Sequence, residues 1–160
     1  DEKWGLDHGT WSILRRMYPN ADIPVIQLSI DYGKPMQWHF DLARQLNSLR
    51  SKGVLIIGSG NIIHNLRLVD FYNINKVDYG FDWAIESRTI FNNYLENENF
   101  DAIINYEKGP SALKMAVPTP DHFIPLLYSL GLKEKMDKIS LFNDHLVAGS
   151  LSMTSVLINS

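Results

Sequence analysis

Apolar and polar residues alternate along the chain in blocks that predict strands and helices in turn. Residues 23–30 (IPVIQLSI) and 54–59 (VLIIGS) are rich in apolar and β-branched residues, as expected of strands buried on both faces. Between them, apolar residues recur every three or four positions from Pro35, and Gly53 marks the end of the predicted helix. The first part of the chain therefore predicts a strand, a helix and a second strand.

The alternation continues to the end of the chain. A second helix is predicted over residues 81–95 and a third within residues 118–131 (PTPDHFIPLLYSLG), whereas residues 100–106 (FDAIINY) fit either a short helix or a strand. Residues 138–143 and 152–158 predict closing strands. We therefore expect an α/β fold with a central mixed or parallel sheet flanked by helices.

Composition narrows the possible functions of the 160 residues. A net charge of −3 argues against a nucleic-acid groove, and the apolar runs are far shorter than the about 20 residues that span a bilayer. Because the chain has no cysteine, any metal is held by His, Asp or Glu. We expect a single domain over residues 1–160, located in the cytoplasm, that binds neither nucleic acid nor membrane; its oligomeric state is left open.

The turn after the second predicted strand is the first candidate for chemistry. Ligands of open α/β sheets bind beyond the carboxyl ends of the strands, where GSGN (58–61) lies, followed by His64. The two glycines allow a tight turn and a close approach of the backbone to a ligand. A dinucleotide-binding G-x-G-x-x-G motif requires a third glycine where Ile63 stands, so the pattern favours a polar active-site turn over a nucleotide site.

Two further histidines have distinctive neighbours. His122 lies among prolines in PTPDHFIP, and it is either an exposed residue at a helix start capped by Asp121 or a metal ligand that Asp121 orients. His8 belongs to DHGTW, in which Trp11 is placed to form the wall of an aromatic-binding pocket.

The remaining histidines carry less information. His39 falls within an amphipathic helix and is predicted to be structural, and His145 fits either a structural or a chemical role. Neither an HExxH nor a G-x-S-x-G motif is present, which argues against a zinc protease and a serine hydrolase.

Four blocks occur together in a specific order: residues 5–31 (GLDHGTWSILRRMYPNADIPVIQLSID), 53–67 (GVLIIGSGNIIHNLR), 118–131 and 149–155 (GSLSMTS). In this order they resemble the class III extradiol ring-cleavage dioxygenases of the LigB superfamily, and they are most similar to its 4,5-DOPA dioxygenase extradiol branch. The resemblance implies a LigB-like α/β fold of which this chain is the C-terminal portion, with the N-terminal strands upstream of Asp1.

The resemblance also implies an activity and a set of site residues. Such enzymes open a catechol ring, here a DOPA-like one, with O2 at a non-haem metal centre, which is Fe(II) in most members and zinc in some. His64 and His122 correspond to metal-site histidines, His64 being either a ligand or the acid–base residue, and the other ligands are expected upstream of Asp1. His8 corresponds to a residue that contacts substrate or dioxygen, and the residues expected to line the substrate cavity are Asp7, Trp11, Ser150 and Ser152.

A non-catalytic protein on the same fold is the alternative, binding a metal or a protein partner. Val117 stands where many relatives have a histidine, which favours this alternative, whereas the presence of His8, His64 and His122 favours the enzyme.

Overall fold

The computed structural model describes residue 3 and residues 5–159. They form two compact units, the first ending at Tyr32 and the second beginning at Gly33. The first unit contains helix α1 (His8–Met17). The second contains α2 (Met36–Gln45), α3 (Asp82–Glu96), α4 (Phe100–Ile104), α5 (Ser111–Ala116) and α6 (Ile124–Gly131), with strands β1 (Lys138–Phe142), β2 (Leu146–Val147), β3 (Leu151–Ser152) and β4 (Ser155–Asn159).

The mixed helix-and-strand class predicted from the sequence is confirmed, and so are its three predicted helices, which correspond to α2, α3 and α6. Helix α3 matches the prediction over 81–95, and α6 begins with Pro125 in its first turn, where a missing N–H costs nothing. Helix α2 ends at Gln45, earlier than predicted; the chain continues as a 3₁₀ helix over Asn47–Lys52, which Gly53 ends at φ 78°. Residues 100–106, which fitted either a short helix or a strand, contain helix α4.

The core of the second unit lies between α3, α5 and α6. Helix α3 buries Ala84, Ser87, Phe91 and Leu95 on one face, at the three- and four-residue spacing of a helix. The ring of Phe91 lies 5.4 Å, centroid to centroid, from that of Phe123, which precedes α6. Each large apolar side chain buried in this way stabilises the fold by about 1.5–3 kcal/mol.

The strands form two small antiparallel pairs. β1 pairs with β4, so the two predicted closing strands are confirmed. β2 pairs with β3 through a tight connection in which Ala148 and Gly149 have φ values of 51° and 78°. A Cβ on Gly149 would lie 2.5 Å from the ring of Phe81, so this position needs glycine for space as well as for conformation.

The two strands predicted near the start of the chain are not formed. Among the described residues, 23–30 and 54–57 belong to no ladder. A strand is stable only when its backbone groups pair with a neighbour, and the described residues supply neither segment with one. In the part of the chain that the structure describes, the paired strands are those of the two antiparallel ladders. None of the described helices is long and apolar enough to cross a bilayer.

A bidentate ion pair holds the 3₁₀ helix after α2 to the segment after α6. Nη1 of Arg50 donates to Oδ2 of Asp137 at 2.5 Å and to the carbonyl of Leu132 at 2.7 Å, while Nη2 donates to Oδ1 of Asp137 at 3.1 Å. Asp137 also accepts the backbone N–H of Glu134 at 2.7 Å. These bonds, chiefly the one from Arg50, hold the pKa of Asp137 below its usual value.

We expect Asp137→Asn to lower the free energy of unfolding by about 2–3 kcal/mol, because it weakens charge-assisted bonds to a nearly buried carboxylate. Since the pKa of Asp137 is lower in the folded than in the unfolded chain, this stabilisation is present above the unfolded pKa of about 3.9 and is lost as the pH falls through the folded value. Urea unfolding followed by circular dichroism measures the difference. Exposed Glu86→Gln is the control, and a difference that persists undiminished at about pH 2 would contradict this account.

Candidate active site

The imidazole rings of His64 and His122 lie stacked against each other. Their centroids are 3.7 Å apart and their planes differ by 14°. The two histidines come from segments far apart in sequence, one following the glycine turn at 58–61 and the other preceding α6. The structure therefore brings together the two residues that the family resemblance implies for a metal centre, His64 as ligand or acid–base residue and His122 as ligand.

Backbone contacts around the glycine turn bring these segments together. The N–H of Asn61 donates to the carbonyl of His122 at 2.9 Å, and the N–H of His64 donates to that of Ala116 at 2.8 Å. A Cβ on Gly60 would lie 2.1 Å from the carbonyl oxygen of His122, and one on Gly58 would lie 2.4 Å from that of Pro125. The glycines therefore allow the turn to pack against the His122 segment, which explains their presence without a bound phosphate.

Strand β3 fixes the other side of the His64 segment. Ser152 accepts the N–H of Ile63 on its hydroxyl at 3.1 Å and donates its own backbone N–H to the carbonyl of Ile63 at 3.0 Å. The hydroxyl of Ser150 donates to the carbonyl of Asn65 at 2.9 Å. Both serines are buried, so the structure gives their hydroxyls a positioning role; their contact with substrate stays a prediction.

Two asparagines that the sequence analysis did not select complete this support. The side-chain amide of Asn61 donates to the carbonyl of Ser152 at 2.7 Å, and that of Asn65 donates to the carbonyl of Met115 at 2.8 Å. Asn61 ends the glycine turn and Asn65 directly follows His64. Their positions beside a candidate catalytic histidine were the signal available in the sequence.

Asp121 supplies the nearest negative charge to the histidine pair. Its Oδ2 lies 3.4 Å from Nε2 of His122, the contact expected of a carboxylate that orients an imidazole. Burial raises the pKa of Asp121, but the hydrogen bond from Thr119, its own backbone N–H and the two imidazoles together lower it more, so the net shift is downward. Asp121 is therefore ionised at neutral pH.

The pKa of His64 is shifted in the direction that favours the neutral ring. Partial burial lowers the pKa of His64, and repulsion from the His122 ring lowers it further, against the weaker opposing effect of Asp121. A neutral imidazole can accept a proton. His64 is therefore placed to act as a base near neutral pH.

The imidazoles of His64 and His122 and the carboxylate of Asp121 are the types of ligand that bind a non-haem metal. Their number and geometry do not form a complete metal site. Imidazole and carboxylate are the usual ligands of non-haem Fe(II). Each imidazole nitrogen points its lone pair along the plane of its own ring. Because the two rings are nearly parallel and 3.7 Å apart, these lone pairs point in parallel directions and do not converge on one ion about 2.1 Å from each nitrogen. Within the described ranges, no three His, Asp or Glu side chains form a group that could hold a metal ion. In this arrangement one of the two imidazoles can be a ligand, together with ligands from elsewhere.

The other predicted site residues lie in the first unit. Asp7 is the N-cap of α1, where its Oδ1 accepts the backbone N–H of Thr10 at 3.0 Å and the hydroxyl of Thr10 at 3.1 Å. His8 is exposed in the first turn of that helix. Trp11 lines an apolar cavity of about 240 Å³ within this unit. That the three residues line a substrate cavity stays a prediction.

The two remaining histidines differ in burial. His39 is fully buried, and its Nδ1 lies 3.1 Å from the hydroxyl of Tyr128, in agreement with the structural role predicted for it. His145 is half-buried and directly precedes β2.

We expect the pKa of His64 in the metal-free protein to lie below 6.5 and to rise on His122→Ala, because the substitution removes a repelling imidazole and admits water to the ring. Titration of the imidazole nitrogen signals by NMR measures both values. His145→Ala is the matched control and should leave the His64 pKa unchanged. An unchanged His64 pKa in the His122→Ala variant would show that the stacking does not persist in solution.

A family model and several known proteins match nearly the whole chain. Residues 1–156 match the family model described as the catalytic LigB subunit of aromatic ring-opening dioxygenase. The chain is 40% identical to a 4,5-DOPA dioxygenase extradiol of Escherichia coli K12 and 36% identical to one of Portulaca grandiflora, in each case over 98% of this chain. It spans only 58% of the length of either relative.

A solved structure supports the same assignment. The crystal structure of an uncharacterized protein from Escherichia coli K12 matches 96% of this chain and 62% of its own, with a TM-score of 0.81 and 39% identity. This match over nearly the whole chain confirms the α/β fold class predicted from the sequence. The chain belongs to the LigB family of aromatic ring-opening dioxygenases.

Proposed function

We propose that this chain carries part of the active site of an extradiol dioxygenase that opens a DOPA-like catechol with O2 at a non-haem metal centre. The observation that carries the proposal is the stacked pair of His64 and His122, formed by two of the sequence blocks that resemble the family. LigB enzymes are non-haem metal enzymes. We propose Fe(II) as the active metal and zinc as a metal that the same ligands also bind.

His122 is the ligand that this pair provides. It lies two residues before α6, on a segment stiffened by prolines, and Asp121 approaches its Nε2. A carboxylate on one ring nitrogen orients the imidazole and makes the other nitrogen a better ligand. The described residues form no group of three His, Asp or Glu side chains that could hold a metal ion, so His122 requires further ligands from elsewhere.

His64 is the acid–base residue. Its ring lies parallel to that of His122 at 3.7 Å. His64 is therefore next to a metal bound by His122 but is not itself a ligand of that metal. A base there accepts a proton from a catechol hydroxyl and returns it later in the reaction. Ser152 accepts the side-chain amide of Asn61 on its carbonyl and the N–H of Ile63 on its hydroxyl, and these bonds hold the segment that carries the ring.

The metal, when bound, supplies a site at which both catechol oxygens and dioxygen are held together for ring opening. Asp7, His8 and Trp11 are proposed to contact the substrate or dioxygen, and Ser150 and Ser152 to border the same cavity. Location in the cytoplasm stays a prediction.

We expect the native-length protein, loaded with Fe(II), to consume O2 with L-DOPA and to form a yellow ring-opened product. His64→Gln should lower the turnover number by about 10²–10⁴-fold, the usual contribution of a general acid or base. His122→Ala should abolish turnover because it removes a ligand. Oxygen uptake and product absorbance are recorded together.

His145→Gln is the matched control, since it replaces a half-buried histidine in the same unit with the same side chain as His64→Gln. Its turnover should equal that of the wild type. Bound metal without oxygen uptake on any catechol would contradict the proposal and would favour a non-catalytic metal- or partner-binding protein.

A further inference from the structure

Every polar group of Asn65, the residue that follows His64, has a partner in the structure. Its backbone N–H donates to the carbonyl of Ser150 at 3.2 Å, and its backbone carbonyl accepts the hydroxyl of Ser150 at 2.9 Å. Its side-chain Nδ2 donates to the carbonyl of Met115 at 2.8 Å, and its Oδ1 accepts the N–H of Arg67 at 3.2 Å. Asn65 is buried, with 7% of its surface exposed, so its side chain depends on these partners rather than on water.

The two partners of the side chain fix the orientation of its amide. A backbone carbonyl only accepts a hydrogen bond and a backbone N–H only donates one, so Nδ2 faces Met115 and Oδ1 faces Arg67. An ionised aspartate has the same shape but offers acceptors to both, so it can pair with Arg67 alone. The bond to Met115 therefore depends on the amide of Asn65.

That bond joins the end of α5 to the segment of His64. The last carbonyls of a helix have no partner within the helix. At the end of α5, the carbonyl of Met115 accepts Nδ2 of Asn65. The next carbonyl, that of Ala116, accepts the N–H of His64 at 2.8 Å. Two consecutive residues are thus bound to two consecutive carbonyls of one helix end.

This double attachment determines where the ring of His64 lies. One hydrogen bond leaves a segment free to rotate about it, and a second bond from the next residue removes that rotation. The ring follows the backbone, because the rotamers open to a side chain depend on the backbone conformation. Since the ring of His64 is stacked on that of His122 with centroids 3.7 Å apart, a rotation of the backbone would separate the two rings.

We propose that Asn65 is a positioning residue for His64: its amide binds the end of α5 and thereby holds the His64 ring in the orientation that proton transfer to a substrate requires. This inference rests on the function proposed for His64 as the acid–base residue. Asn65 takes no part in proton transfer or metal binding itself. Its loss therefore slows the reaction by displacing His64, and a displacement of about 1 Å can lower a rate by about 100-fold.

Asn97 provides a matched control. It is the C-cap residue of α3, where its Nδ2 donates to the carbonyl of Asn93 at 2.8 Å. The bond is of the same type and length as that from Asn65 to Met115, but its partner lies on the same helix. Substitution of Asn97 therefore removes an amide-to-helix bond without detaching one segment from another.

The first test is the contact between the two imidazole rings in the metal-free, native-length protein. Nuclear Overhauser effects between labelled histidines should show the rings of His64 and His122 in contact in the wild type. Asn65→Ala and Asn65→Asp should weaken this contact and speed hydrogen exchange at the N–H of His64 by about tenfold or more. Only Asn65→Ala should also speed exchange at Arg67, because aspartate keeps that acceptor. Asn97→Ala and Asn97→Asp should change neither readout.

The second test is turnover of L-DOPA by the native-length protein loaded with Fe(II). Asn65→Ala and Asn65→Asp should lower kcat per bound metal by about 10–100-fold and change KM by less than about threefold. The dissociation constant for Zn(II) should also change by less than about threefold. A loss of stability alone would reduce the amount of folded protein and leave kcat per bound metal unchanged, which is the result expected for the Asn97 variants.

A double variant tests whether Asn65 acts through His64. His64→Gln removes the imidazole that Asn65 positions, so the addition of Asn65→Ala to it should lower kcat further by less than about threefold. Two independent effects would instead multiply.

Three results would overturn the proposal. One is a ring contact and a His64 exchange rate that stay unchanged in both Asn65 variants. Another is an unchanged kcat per bound metal in these variants. The third is a further loss of about 10–100-fold in the double variant, which would separate Asn65 from His64. A wild type that consumed no O2 with any catechol would contradict the proposed function, and the ring contact and exchange would still decide whether Asn65 positions His64.

Discussion

The close approach of two backbones determines the geometry of the candidate active site. The turn at 58–61 lies so near the segment before α6 that a Cβ on Gly60 would reach the carbonyl oxygen of His122. This approach allows the bond from Asn61 to that carbonyl and sets the rings of His64 and His122 face to face. The glycines that suggested ligand binding thus act on the site through packing.

The support for His64 comes from both sides of the turn. On one side lie Ala116 and His122, whose carbonyls accept backbone N–H groups, and on the other lies Ser152, which accepts through its hydroxyl. The bond between Ile63 and Ser152 is buried, so its polar groups would be costly to leave unpaired. These bonds fix the backbone at His64, and stacking against His122 orients its ring, as proton transfer requires.

Helices α2, α3 and α6 and the two central histidines were accessible from the sequence because their signals are local, whereas α1 and α5 were not predicted. Helical spacing predicted α3, and the blocks around His64 and His122 carried the family resemblance. The functions of Ser152 and Asn61 were not accessible, since each depends on a hydrogen bond to a segment about 90 residues away. The strands over 23–30 and 54–57 were predicted from composition, but a strand requires a neighbour, and the described residues provide none.

The central claim is that His122 binds a metal while His64 works beside it without being a ligand. The most direct test is the dissociation constant for Fe(II) or Zn(II), measured anaerobically by competition with a chelator, for the wild type, His122→Ala and His64→Gln. The account predicts that His122→Ala weakens binding by about 100-fold or more and that His64→Gln changes it by less than about threefold. Equal weakening by both substitutions would make His64 a ligand as well and would contradict the division of roles read from the stacked rings.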